Sequence, residues 1–227
     1  MLVVISIILL VAVVALPGIN SLSKSAARRS SVSLVMAALD QARTQAVAQS
    51  ATVYFVFANG DPQLAFSSEA GKPGEDYRFR AFAVFQETYI PPQPNASAED
   101  AARPYIRLPV RPWTLLPQGV AFRPDELPRE GDKIPPIKTI FSGKKDEFYC
   151  QPAKAKIQLP YIKFNATGAI EEPTEADLAR VSIFEGFVDA NNRAVVTNPA
   201  KAMADETITL SLFTGRAKRL EPTHAAN

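Results

Sequence analysis

Residues Met1–Ile19 read MLVVISIILLVAVVALPGI, and from Leu2 to Leu16 the only polar side chain is Ser6. An apolar run of ~15–17 residues sits at the short edge of what crosses a bilayer as a helix. Three readings compete: a cleaved signal peptide, a plain membrane anchor, and an anchor that begins a longer helix. A signal peptide needs a basic start and a small-x-small cleavage site. No Lys or Arg precedes this run, and Pro17-Gly18 interrupts the expected site. The third reading suits the continuation INSLSKSAARRSSVSLVMAALDQARTQAVAQS (19–50). There Val32, Val35, Leu39, Ala42 and Ala46 fall at steps of three and four and make one apolar stripe.

A helix over 2–50 would be about 73 Å long at ~1.5 Å per residue. Its membrane or filament half would consist of Leu2, Val3, Val4, Ile5, Ile7, Ile8, Leu9, Leu10, Val13, Val14, Leu16 and Pro17. Pro17 removes one backbone hydrogen bond, so a kink is expected there. Its other half would pack on a sheet through the five stripe residues. Arg28 and Arg29 follow the membrane segment, where lipid head groups or acidic groups on adjacent helices would meet them.

The remaining composition bounds the function. The chain has 227 residues, 47% of them hydrophobic, and a formal net charge of +2. That balance points to neither bulk nucleic-acid binding nor an acidic partner. There is one cysteine, Cys150, and one histidine, His224. A catalytic triad and a histidine metal site both need more than this. No Gly-rich phosphate loop occurs, and Asp189-Ala190-Asn191-Asn192 lacks the EF-hand pattern. Asp146-Glu147 and Glu171-Glu172 read as solvated loop charges. The expectation is a non-enzyme without cofactor, metal or catalytic residues.

Nineteen prolines against ten glycines, most of the prolines between Pro62 and Pro160, predict loops and edge strands in the middle of the chain. Strands are expected at Thr52–Phe57, Tyr77–Phe85, Lys156–Phe164, Val181–Val188 and Thr207–Leu212, the last turning at Thr214-Gly215 into Arg216–Leu220. Ile90–Asp100 reads as a loop, and Arg103–Pro136 as short edge strands in extended chain. The order, one long helix and then many strands, predicts an α+β fold: a long N-terminal helix, membrane half plus amphipathic half, packed on antiparallel β-sheet. It divides the chain into a helix over 1–50 and a β-rich globular domain over 51–227.

LVVISIILLVAVVALPGINSL resembles the N-terminal segment of type IV prepilins and type II secretion pseudopilins. LVMAALDQARTQAVAQSATVYFVF is similar to the start of the globular domain in the minor pseudopilins of the GspH/FimT-like group, with Ala42, Arg43 and Ala46 at the helix end. The likeness returns at Leu116–Val120, at Ile162–Gly168 and in ITLSLFTGRAKRL. It covers both ends of the chain well and the middle thinly. It departs at the start, where family members carry a basic leader, a Gly or Ala, and Phe-Thr-Leu-x-Glu. Met1 falls about where the residue after that Glu belongs. The expectation is a start assigned too far downstream; the other reading is a copy that cannot be processed.

The resemblance implies a pilin or pseudopilin subunit in the bacterial inner membrane, single-pass, with an extracytoplasmic C-terminal domain. Its implied partners are other pilin subunits, the assembly platform protein and ATPase, and a prepilin peptidase if the true start lies upstream, with prepilin-type N-terminal methylation. Some members of the group resemble DNA receptors that use a basic element near the C-terminus. Gly215-Arg216-Ala217-Lys218 is close to that element, so Arg216, Lys218 and Arg219 are candidate nucleic-acid contacts. Two alternatives stand beside the filament subunit: a filament-tip module that binds DNA or secreted protein cargo, and a monomeric membrane-anchored domain.

Overall fold

The computed structural model describes residues 26–65, 76–89, 105–124, 138–150, 153–176, 178–197 and 205–220, and of residues 2–25 the backbone assignment only. Among the described residues one α-helix, α1 (Leu2–Gln49), precedes eleven strands. They are β1 (Val53–Phe57), β2 (Ala81–Tyr89), β3 (Tyr105–Leu115), β4 (Val120–Phe122), β5 (Lys145–Cys150), β6 (Ala155–Phe164), β7 (Ile170–Glu172), β8 (Arg180–Val188), β9 (Ala194–Val196), β10 (Glu206–Leu210) and β11 (Ala217–Leu220). The first sheet runs β3-β2-β1-β6-β5, with β7 also on β6. The second runs β11-β10-β8-β4, with β9 also on β8. Every pairing is antiparallel.

This corrects the expected fold class. Strand makes up 46% of the residues described with side chains, in two antiparallel sheets, against only the 24 helical residues 26–49. The fold is mostly β with some α+β character, not a long N-terminal helix packed on a sheet. The reason lies in the prolines and charges of the middle region. β3 is an eleven-residue strand that includes Pro109 and Pro112, tolerated because β3 is an edge. β5 begins Lys-Asp-Glu, which reads as loop, yet Asp146 and Phe148 pair with Leu159 and Ile157 of β6. Conversely Arg78 and Arg80 precede the strand expected to hold them; β2 starts at Ala81 after a turn in which Phe79 takes φ +53°. The predicted membrane half, residues 2–17, lies outside the residues described with side chains. Among the described residues no helix is long and apolar enough to cross a membrane.

Between residues 26 and 49 the helix is a wedge between the two sheets. Val32, Val35, Leu39, Ala42 and Ala46 are all buried, joined by Ser31 and Ala38. Ser31 donates its hydroxyl hydrogen bond to Ala27 O (2.8 Å), so it enters the core without an orphaned polar group. Opposite the stripe lie Phe55, Phe57, Phe82, Ile162 and Phe164 from the first sheet and Val120, Phe122, Val181, Ile183, Ile208 and Leu210 from the second. Burying each large side chain contributes roughly 1.5–3 kcal/mol.

A second core covers the far face of the first sheet. Tyr54, Val56, Ala83, Phe85, Phe148, Ile157, Leu159 and Tyr161 form it. All five residues of β1 are buried, because Phe55 and Phe57 face the helix while Tyr54 and Val56 face the second core. That two-sided burial explains why VYFVF is apolar throughout rather than alternating.

Candidate functional site

Three segments distant in sequence meet at the C-terminal end of the helix. Arg43 donates from Nε to Thr214 O (2.6 Å), in the turn between β10 and β11. Gly168, in the turn between β6 and β7, has φ +81°, and Gly215 has φ +64°. A Cβ on Gly215 would lie 2.0 Å from Gly168 O, and one on Gly168 would lie 2.8 Å from Val47 Cγ2. Only glycine permits both the left-handed backbone and this approach. Asn165 Oδ1 shapes the first turn by accepting from Thr167 N (3.0 Å), Thr167 Oγ1 (2.7 Å) and Ala169 N (3.1 Å). Ile170 N then donates to Leu212 O (2.8 Å), which joins the two sheets. The joint brings together Arg43, Gly168 and Gly215, one from each of three segments that carry the sequence resemblance.

The three predicted basic contacts divide between the two faces of the second sheet. Arg216 and Lys218 are exposed. Arg219 lies across from Ile208, on the helix side, and donates from Nε and Nη2 to the two carboxylate oxygens of Glu206, each at 2.7 Å. The Glu206 side chain is 6% exposed, and on its other side Arg28 Nε stands 3.8 Å away with its side chain 11% exposed. Arg219 therefore caps buried Glu206 from the surface, its own side chain 43% exposed, while Arg28 approaches the same carboxylate from within. Arg28, read above as meeting lipid or an adjacent helix, pairs within its own chain.

Sequence reasoning missed two members of the outer basic face. Arg180 stands opposite Thr209, which in turn stands opposite Lys218, so the three form one row across β8, β10 and β11. Arg180 Nε is buried without a hydrogen-bond partner. The alternation of RVSIF, with Val181 and Ile183 inward, is the signal that places Arg180 outward. Phe213, at the turn above the row, is 92% exposed. Its position just before Thr214-Gly215 was the available hint. Cations, hydroxyls and one projecting aromatic ring together suit an anionic partner with planar groups.

Other candidates resolve into structural roles. Burial pushes the Cys150 thiol up to about 11, which disfavours the nucleophilic thiolate. Burial first, and then the Glu87 charge, push the Tyr54 hydroxyl up; Tyr54 donates to Glu87 Oε1 (3.0 Å). The Arg107 guanidinium lies over the Tyr54 and Phe148 rings, 4.7 and 4.8 Å from their centroids, and pairs with Asp146. It closes the second core. Glu171 pairs with Lys163 and Glu172 with Lys144, so these carboxylates belong to a strand and its neighbours rather than to a solvated loop. Asp189 Oδ1 accepts from Asn191 N and Arg193 N (both 2.8 Å), the geometry of a turn. Among the described residues no group of three or more His, Cys, Asp or Glu is placed to hold a metal. An open cleft of about 380 Å³ is lined by Asn59, Gly60, Asp61, Phe79, Pro124, Phe141, Lys145 and Asn192. His224 lies outside the described residues.

A scan against protein-family models gives no match, and searches of curated proteins and of solved structures give none.

Proposed function

We propose that the chain is a structural subunit of the pilin or pseudopilin kind, membrane-anchored through residues 2–17 and then assembled with other such subunits rather than acting as an enzyme. The observation that carries the reading is the joint at Arg43, Gly168 and Gly215. Segments that resemble minor pseudopilins in sequence contribute to one contact, so the likeness follows a single piece of architecture. In this reading the inner membrane holds the subunit, with its strand domain outside the cytoplasm, until an assembly ATPase and platform protein extract it. A prepilin peptidase acts if translation begins upstream. Leaving lipid for a bundle of equally apolar helices costs little.

The test is cross-linking in cells. Two cysteines in one chain, at Leu10 and Val14, in a Cys150→Ala background, should give ladders of several subunits on oxidation. A chain that stays in the membrane fraction without any ladder sinks the filament reading and favours the monomeric anchored domain.

A second reading, capture of DNA or a secreted cargo, is favoured by the row of Arg180, Thr209 and Lys218 beneath exposed Phe213. Reversing both Arg216 and Lys218 to Glu should weaken DNA binding and flatten its salt dependence. Unchanged binding ends that reading.

A further inference from the structure

We propose that the β8–β9 hairpin is a second membrane contact: its exposed apolar pair, Phe187 and Val195, seats in the headgroup layer of the bilayer that holds residues 2–17. The inference rests on the membrane-anchored reading and deepens it. The helix supplies the ruler. Arg28 meets Glu206 at the start of β10, and Arg43 meets Thr214 in the turn beyond its end. From Arg28 to Arg43 the helix rises about 22 Å at ~1.5 Å per residue, and Glu206 to Thr214 spans at most about 26 Å at ~3.3 Å per residue, so β10 runs alongside the helix in the same direction. β8 is antiparallel to β10, with Ile183 opposite Glu206, so it runs from that level toward the start of the helix. Val188, the last residue of β8, lies about 16 Å beyond Ile183 at ~3.3 Å per residue, a distance the helix covers in about eleven residues. Counted back from Arg28, that level is about residue 17, where the apolar run ends. α1 is helical throughout this stretch.

The hairpin is braced at that level. Its strands pair from Gly186 opposite Val196 to Val188 opposite Ala194. Asn192, in its turn, packs on Gly60 of the loop after β1, where a Cβ would lie 2.0 Å from Asn192 Oδ1. Phe187 (55% exposed) and Val195 (37%) stand directly opposite each other, so their side chains share one face. By the two-residue period it is the face of Ile183, which looks toward the helix. Arg29 on the helix and Arg193 at the turn are exposed, and among the described residues neither has an ion-pair partner. Asp189, the acid of the same turn, accepts from Asn191 N and Arg193 N. Free cations beside an apolar face suit anionic headgroups. Such a face buries about 5–10 Å into the boundary between headgroups and acyl chains. Two apolar side chains fall far short of the roughly 1,200 Å² that a specific protein contact needs, whereas a bilayer surface asks for no such area. Their level against the helix, at the end of the apolar run, therefore selects lipid as the occupant.

The test uses the full chain in vesicles of phosphatidylethanolamine and phosphatidylglycerol, in a Cys150→Ala background. One cysteine per variant, as Val195→Cys, Leu10→Cys or Thr214→Cys, carries an environment-sensitive fluorophore. Lipids bearing a nitroxide at the headgroup boundary should quench the Val195 label at least about twofold, and its emission should move to the blue. A nitroxide deep in the acyl chains should quench the Leu10 label, and neither lipid should quench the label at Thr214. Arg29→Glu with Arg193→Glu should reduce the quenching at Val195 while leaving that at Leu10 in place. Phe187→Cys supplies a second labelled position should Val195→Cys impair folding. Quenching at Leu10 without any at Val195 or Phe187 overturns the proposal and leaves the anchor standing. A blue shift at Val195 without quenching by lipid overturns it too, because protein then covers the hairpin. No quenching at Leu10 ends the anchor reading and this inference with it.

Discussion

The two cores on either side of the first sheet are built in different ways. The inner one is filled by a helix whose stripe reaches both sheets, so the stripe as a whole ties three layers together. The outer one has no helix. It closes because β5 and the first half of β6 cover β1 and β2, with Arg107 as a lid over Tyr54 and Phe148. One core is thus clamped from both sides, while the wall of the other ends in an edge strand. Loss of packing in the first is felt by the whole domain; in the second it can be absorbed by movement of β5 and the first half of β6.

The largest test of that contrast is Leu39→Ala, expected to cost about 4 kcal/mol in chemical denaturation, because the site is held by two sheets and cannot collapse. Leu159→Ala, equally buried, should cost about half as much. Equal losses would erase the distinction. Glu206→Ala comes next, at about 3 kcal/mol, since it leaves Arg28 uncompensated inside the inner core. Gly215→Ala should cost about 2 kcal/mol through its left-handed backbone and the clash with Gly168. Arg107→Ala, on the outer core, should cost only about 1 kcal/mol and speed amide exchange in β5 while α1 stays protected. A slowing or no change in β5 would remove the lid from the account.

The smallest effect concerns pH. Burial pushes Asp76 up, but hydrogen bonds and charge from Arg78 outweigh it and hold the carboxyl below its usual range. The resulting stability is present above the ordinary carboxylate pKa of about 4 and is lost as pH falls through the lower folded value. Asp76→Asn should therefore lower the urea midpoint at neutral pH and lose that effect at strongly acid pH.

Much of the inner core was legible in the sequence. Val32, Val35, Leu39, Ala42 and Ala46 lie on one side because helical periodicity is a local property. The outer core was hidden because it depends on a long-range fold of the sheet. Tyr54 and Val56 give no sign that β5, about ninety residues on, will cover them. Pro109, Pro112 and the Lys-Asp-Glu opening of β5 look like loop in a window that cannot see an edge strand. At the candidate site, Arg216, Lys218 and Arg219 adjoin in sequence, but the two-residue period of β11 parts them. Glu206, which captures Arg219, was readable only as one more exposed acid.

The fastening of the helix also sets how the molecule bears force. Arg28 holds to Glu206 near one end of the described helix, and Arg43 holds to the β10–β11 turn near the other. Tension applied along the helix from residue 26 would load both attachments together, and both deliver it to the β10–β11 hairpin at the edge of the second sheet. The outer core would carry almost none of it. Resistance to pulling is a matter of unfolding rate rather than equilibrium stability, so a lesion at Gly215 would weaken the molecule under tension more than one at Leu159 of equal thermodynamic cost.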